Sequence, residues 1–224
     1  MMGIVKAAVL VGPAQGMVLM AALLVMVMLL LMGLSGARVA IQGERSARAV
    51  RDRDIAMQAA EDALADAERE LAGGSTDAAR NALLAAGEGY VDGCGDGLSA
   101  PDQGLCKPLA GETPAWLQVD MADDGAASHS AAFGRYTGAE METGDGFLPF
   151  RKPRFVIEQL PPPPGGAPGG TAHVYRVTAV GFGAREGMEV VLQSVVRIGG
   201  TPKVNRVAWR EVDNYRELRR ALKP

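Results

Sequence analysis

Apolar and polar positions divide this chain unevenly. Residues 17–34 read MVLMAALLVMVMLLLMGL, 18 positions without a polar side chain. As a helix rising ~1.5 Å per residue they span about 27 Å, close to the ~30 Å hydrocarbon core of a bilayer. A helix in a water-soluble domain shows a polar face, and this stretch has none. The pattern therefore predicts a membrane-inserted helix. Residues 44–72 keep helical character, being rich in Ala, Arg, Glu and Leu and free of Pro and Gly. Val50, Met57, Ala60, Leu64, Ala67 and Leu71 fall at three/four spacing on one face, with Arg53 interrupting the line. Gly73-Gly74 carries a stop signal. One helix over Met17–Ala72 is expected, weakened at Gly33, Gly36 and Gly43 by ~1 kcal/mol each relative to Ala.

Beyond Gly74 the pattern shortens. A second helix is expected over Thr76–Ala86, with Ser75 as N-cap and Gly87 at the C-cap. Residues 87–150 are dominated by Gly, Asp, Pro and small side chains and read as irregular, with Trp116, Leu117 and Val119 facing the core. The C-terminal third is strand-like over Arg154–Leu160, His173–Gly183, Met188–Ile198 and Asn205–Val212. The run PPPPGGAPGG (161–170) is a loop, and Ala184–Gly187 is a hairpin connection. Consecutive hairpins make an antiparallel meander with one face free to receive a helix. The fold class is α+β. The expected division is 1–16 as a leader, 17–37 as the apolar half of the helix and 38–72 as its amphipathic half. It continues with 73–152 as a short helix and irregular region, 153–212 as the sheet, and 213–224 as a tail.

Charge sharpens the picture. The 224 residues carry a net charge of −3, yet residues 7–37 contain no charge, and every acidic residue follows them. Residues 38–224 hold 22 basic and 26 acidic side chains, a net of −4. That excludes a purely cytosolic globular protein and leaves no concentrated positive footprint for nucleic acid. Three kinds of segment fit the apolar stretch. A cleaved secretory signal would use Ser35-Gly36-Ala37 as its cleavage site, although its apolar core is long for that purpose. A plain signal anchor is the second. A leader cut before the apolar stretch is the third, and Pro13-Ala14-Gln15-Gly16 directly ahead of Met17 suits it. Arg38, Arg45, Arg48, Arg51 and Arg53 follow the stretch, whereas only Lys6 precedes it. By the positive-inside rule this favours a cytoplasmic body. Cys94 and Cys106, twelve residues apart in a Gly/Pro-rich loop, favour an oxidising compartment instead.

Candidate chemistry is sparse. Cys94 and Cys106 read as a disulfide or as free thiols; with His129 and His173 remote in sequence they lack metal-ligand spacing. Asp92–Gly97 resembles the start of a calcium loop, but its third position is Cys94 and its twelfth is Gln103, where a bidentate Glu is needed. Gly181, Gly183 and Gly187 precede a strand rather than a helix, so they mark a hairpin and not a dinucleotide site. His129 reads as surface loop and His173 as an edge residue, with no nucleophile–base pattern around them. No enzyme, cofactor or metal is expected.

Four passages carry a resemblance. They are the Gly16/Met17 junction with its apolar helix, RDRDIAMQAAEDALADAE (51–68), PRFVIEQL (153–160), and YRVTAVGFGAREGMEVVLQSVVR (175–197). Together they resemble the PilX-type minor pilins of type IV pilus assembly. The resemblance implies a pilin-like fold and a non-enzymatic role. It further implies cleavage after Gly16 by a prepilin peptidase, N-methylation of Met17, and a single-pass inner-membrane protein with its body periplasmic. The implied partners are the other minor pilins, the major pilin, the inner-membrane assembly platform and a tip adhesin. The fifth mature residue would be Ala21, where most pilins carry glutamate; its absence implies a role at the filament tip in priming or capping. The related minor pseudopilins of type II secretion and a membrane-tethered periplasmic binding module are the alternatives. The leader departs from the family in holding one charged residue, Lys6.

Overall fold

The computed structural model describes residues 15–107, 113–161, 173–199 and 204–222. The leader up to residue 14, with Lys6, lies outside them, as does the Pro/Gly run after Pro161. The chain divides into two units, Met1–Ala49 and Val50–Pro224. The helix α1, Gln15–Arg69, contributes to both and continues into a π-helical turn, Glu70–Gly74. This matches the expected helix. Gly33, Gly36 and Gly43 do not interrupt it.

In the second unit α1 is followed by α2 (Ala78–Ala86), β1 (Leu105–Cys106), α3 (Ala115–Gln118) and β2 (Ala131–Ala132). Then come β3 (Arg154–Leu160), β4 (His173–Phe182), β5 (Glu189–Ile198), β6 (Val204–Glu211) and α4 (Tyr215–Leu222). The sheet order is β1-β3-β4-β5-β6. The pairs from β3 to β6 are antiparallel, as the meander requires, while β1 joins β3 in parallel. The outer edge of β3 is shared: β1 covers Ile157 and Glu158, and β2 covers Phe155 and Arg154. Two short pieces of the Gly-rich region thus close an edge that would otherwise be open to foreign strands. The sheet is therefore mixed rather than purely antiparallel.

Each face of the sheet has its own core, because strand side chains alternate. One core joins Phe155, Ile157, Tyr175, Val177, Ala179, Leu192 and Val196 to the α1 face made of Ala56, Ala60, Ala63, Leu64, Ala67 and Leu71. The other joins Val156, Val180, Phe182 and Val191 to Trp116, Val119, Met121, Tyr215 and the two cysteines. Three expectations are corrected here. Val50 is exposed; the buried stripe keeps the expected Ala60, Leu64, Ala67 and Leu71 and adds Ala56, Ala59 and Ala63, whose small side chains give a weak hydropathy signal. Asp77, not Ser75, caps α2, accepting from the amides of Ala79 and Arg80. The segment read as a tail contains α4, whose Tyr215 stacks on Trp116 with centroids 6.0 Å apart.

Alanine on α1 meets glycine on β4. A Cβ on Gly181 would stand 2.0 Å from the Ala56 carbonyl oxygen and 2.4 Å from the Ala60 nitrogen. One on Gly183 would stand 2.4 Å from Asp52 Oδ1. Of the three glycines read above as hairpin residues, Gly181 lies inside β4, whereas Gly183, directly after the strand, and Gly187, at φ 98°, belong to the hairpin connection. A glycine inside a strand marks a close backbone approach, and here the approaching backbone is that of α1. Overpacking such a contact costs roughly 1–3 kcal/mol. Gly181→Ala is expected to lose at least that much in urea unfolding, followed by tryptophan fluorescence. A Val195→Ala change on the opposite side of the sheet should cost less. Equal stability of Gly181→Ala and the parent chain would show that the helix does not sit this close.

Candidate functional site

The exposed half of α1 is the first part of the site. From Met17 to Leu34 its large apolar side chains are 49–79% exposed, and none of the 18 residues most suited to crossing a membrane is buried. Backbone polar groups in a continuous helix are satisfied internally, so this segment can enter hydrocarbon without breaking hydrogen bonds. Gly16 and Met17 lie in the first turn of α1, and Ala21 lies one turn further on the exposed surface. Among the described residues, nothing covers Met17 or Ala21.

The second part is the set of contacts that hold α1 from Val50 onward. Asp52 accepts hydrogen bonds from the amides of Ala184 and Arg185, closing the β4–β5 hairpin against the helix. Arg53, which broke the apolar line, forms a forked pair with Glu211 of β6 at 2.6 and 2.7 Å. Arg206 of β6 bridges to Glu61 and Glu68, and Ser194 also donates to Glu68. Arg51 stacks over the exposed ring of Phe147 at 4.8 Å. Charged residues at the rim thus flank the alanine stripe. The pairs in contact with water contribute little each. Their value is in fixing the rotation of the helix on the sheet.

The lower end of α1 is held from inside. Asp66, fully buried, accepts from the amide of Gly134 at 2.8 Å, from Thr137 Oγ1 and from Arg69. Glu70 and Arg80 form a fully buried ion pair, with Nε donating to Glu70 Oε2 at 3.0 Å. The same guanidinium donates from Nη1 to the carbonyls of Pro101 and Gln103, both at 2.9 Å, and lies 4.2 Å over the ring of Tyr136. Arg80 therefore ties the end of α1 to the loop between the cysteines. Sequence reading missed this pair because an acidic residue at a helix end and an arginine in the next helix look like ordinary surface residues.

Cys94 and Cys106 are joined by a disulfide, with the sulfurs buried in the second core. By loop entropy such a closure is worth about 2–4 kcal/mol. Cys94 sits at φ 66°, a left-handed position that Gly93 at φ 76° precedes. His129 is half-buried rather than freely exposed, and its Nδ1 lies 3.0 Å from the Cys94 carbonyl. His173 is exposed at the start of β4, a central strand and not an edge. Asp92 and Asp96 are exposed. Among the described residues, no group of three or more His, Cys, Asp or Glu side chains is placed to hold a metal ion.

Comparison with known families is decided by two matches. The PilX N-terminal model matches residues 15–65, and the model of the type IV pilus assembly protein PilX C-terminal region matches residues 102–198. The chain belongs to the PilX family. This is a structural pilin family of type IV pilus assembly. The PilX N-terminal match contains the apolar half of α1 together with Asp52, Ala56 and Ala60, and the C-terminal match contains Gly181 and Gly183. The helix–sheet contact is therefore made between the two PilX regions. Glu70, Arg80 and Cys94 fall between the matched stretches, and β6 and α4 follow them. No curated protein and no solved structure matches the chain.

The Glu70 site has a pH signature. Burial pushes its carboxyl from the ordinary 4.5 up to about 7, Arg80 pulls it down and nearby Asp66 adds to the rise. Tyr90 and Tyr136 also face it. Below pH ~4.5 the group is neutral in both folded and unfolded chains. As pH rises towards 7 the unfolded chain releases the proton first, so stability falls, by at most ~1.4 kcal/mol per pH unit. Urea midpoints measured from pH 5 to 8 should show this contribution in the parent chain and lose it in Glu70→Gln. An identical pH dependence in the two chains would contradict the assignment.

Proposed function

We propose that this chain is a minor pilin that primes or caps a type IV pilus and stands at or near the filament tip. The carrying observation is Ala21. If the chain is cut after Gly16, Ala21 is the fifth mature residue, where the resemblance places a glutamate in shaft-building pilins. A carboxylate there would be buried in an apolar environment and would need the terminal amine of a neighbour to offset its desolvation. Alanine makes no such demand and offers no such partner. A subunit of this kind can sit where one neighbour is missing, which is the situation at a filament end.

The mechanism is mechanical and not enzymatic. A prepilin peptidase removes the leader and Met17 becomes the methylated N-terminus. The apolar half of α1 waits in the inner membrane, with the body in the periplasm, and then passes from lipid into the core of the filament. Both environments are apolar, so the transfer exchanges one set of dispersion contacts for another without exposing the 17–34 surface to water. The partners are the other minor pilins, the major pilin, the assembly platform and a tip adhesin.

The buried disulfide supports a periplasmic body, since such bonds persist in oxidising compartments. The arginines that favour the opposite topology are in part accounted for by the body itself: Arg51 and Arg53 each have a partner there.

An Ala21→Glu variant tests the tip role. It should lower pilus number when it replaces the parent chain. Antibody labelling should find the parent chain at filament ends. Normal pilus number with the variant incorporated along the shaft would contradict the proposal.

A further inference from the structure

The five arginines that follow the apolar stretch look like one cluster in sequence, but the structure sorts them. Arg51 and Arg53 are engaged by Phe147 and Glu211. Arg48 pairs with Glu44 one turn before it, both side chains being more than half exposed. Arg38 and Arg45 are exposed and have no ion-pair or hydrogen-bond partner among the described residues. Seven residues apart, they lie within about 20° of each other around the helix, so they form one ridge. Arg48 extends it at the next i+3 position.

Distance along the helix places this ridge against the membrane surface. Arg38 is four residues past Leu34, a rise of ~6 Å, and the headgroup layer beyond the hydrocarbon core is roughly 5–7 Å thick. Arg45 is ~16 Å past Leu34. Side chains on a helix lean towards its N-terminus, here towards the bilayer. An extended arginine at 45 thus returns its guanidinium to within a Debye length, ~8 Å, of the phosphate layer. The apolar stem of Arg38 can lie along the span while its head remains in the headgroups.

We infer that Arg38 and Arg45 form a collar that binds the phosphates of anionic phospholipid headgroups at the C-terminal end of the span. Guanidinium and phosphate match in charge and in forked hydrogen-bond geometry. The only acidic residue between Met17 and Ala49 is Glu44, which Arg48 occupies. The collar sets the depth of the helix in the bilayer, and these lipid contacts must be released before the subunit leaves the membrane. The inference rests on the membrane reading of residues 17–34, but not on which side of the membrane the body occupies.

The test uses the full chain in phosphatidylcholine bilayers with traces of spin-labelled phosphatidylglycerol or spin-labelled phosphatidylcholine. Electron paramagnetic resonance reads the motionally restricted lipid at the protein. The parent chain should prefer phosphatidylglycerol roughly fivefold, given the usual strength of a basic side chain at an anionic surface. The preference should fall to about one in R38Q/R45Q and persist in R38K/R45K. Equal association of both lipids with the parent chain, or an unchanged preference in R38Q/R45Q, would overturn the collar. Absence of restricted lipid of either kind would overturn it together with the membrane reading.

Discussion

The close approach of α1 to β4 is the constraint on which the rest of the molecule depends. Helix and strand can come this near only because Gly181 and Gly183 present no Cβ and because Ala56 and Ala60 present little more. The apolar area gained per residue is small, so the contact relies on fit instead of bulk. Its consequences extend in both directions. Towards the hairpin, the space left by Gly183 admits the Asp52 carboxylate, which then holds the Ala184 and Arg185 amides. Further along the helix, Leu64, Ala67 and Leu71 continue the same face over Ile157 and Tyr175.

Charge then fixes what packing leaves free. An alanine stripe on a flat strand does not define rotation well, since one alanine resembles another. Arg53 with Glu211, and Arg206 with Glu61 and Glu68, select one setting. Asp66 and Glu70 do so from inside, at a cost in desolvation that Thr137, Gly134 and Arg80 offset. Arg80 has the widest reach. By joining Glu70 to the carbonyls of Pro101 and Gln103 it connects the end of the helix to the disulfide-closed loop, a segment with little core of its own. The Gly-rich region is also joined to the body by Gly134 and Thr137 on Asp66, by Trp116 on Tyr215 and by the two short strands it adds to β3.

Much of this was legible in the sequence where one period dominates. The β-branched runs at 154–160, 173–182 and 189–198 appear as strands within a residue of their expected ends. The uninterrupted apolar run appears as exposed helix. Gly87 ends α2 at φ 68°, as a glycine in that position should. Less was legible where the signal depends on a partner distant in the chain. Ala56 and Ala63 carry too little hydropathy to mark a buried face. Gly181 and Gly183 read in the sequence as hairpin glycines, because nothing local names α1 as the element that approaches them. Glu70 and Arg80 look solvated until the loop at 101–103 is folded over them. The parallel pairing of β1 is likewise a long-range event, with only two residues in the strand to signal it.

The picture that results is of a single helix with two employments. From Val50 onward it is a structural member of the body. From Met17 to Leu34 it presents an apolar surface that its own chain leaves uncovered, in a protein of the PilX family. We propose that this surface starts at a mature N-terminus, because the one charged side chain of the leader, Lys6, would otherwise have to enter an apolar filament core. Mass spectrometry of the N-terminus of the chain purified from pili and from membranes tests this most directly. A chain that begins with N-methylated Met17 is the expected result. An intact leader attached to the assembled protein would contradict it.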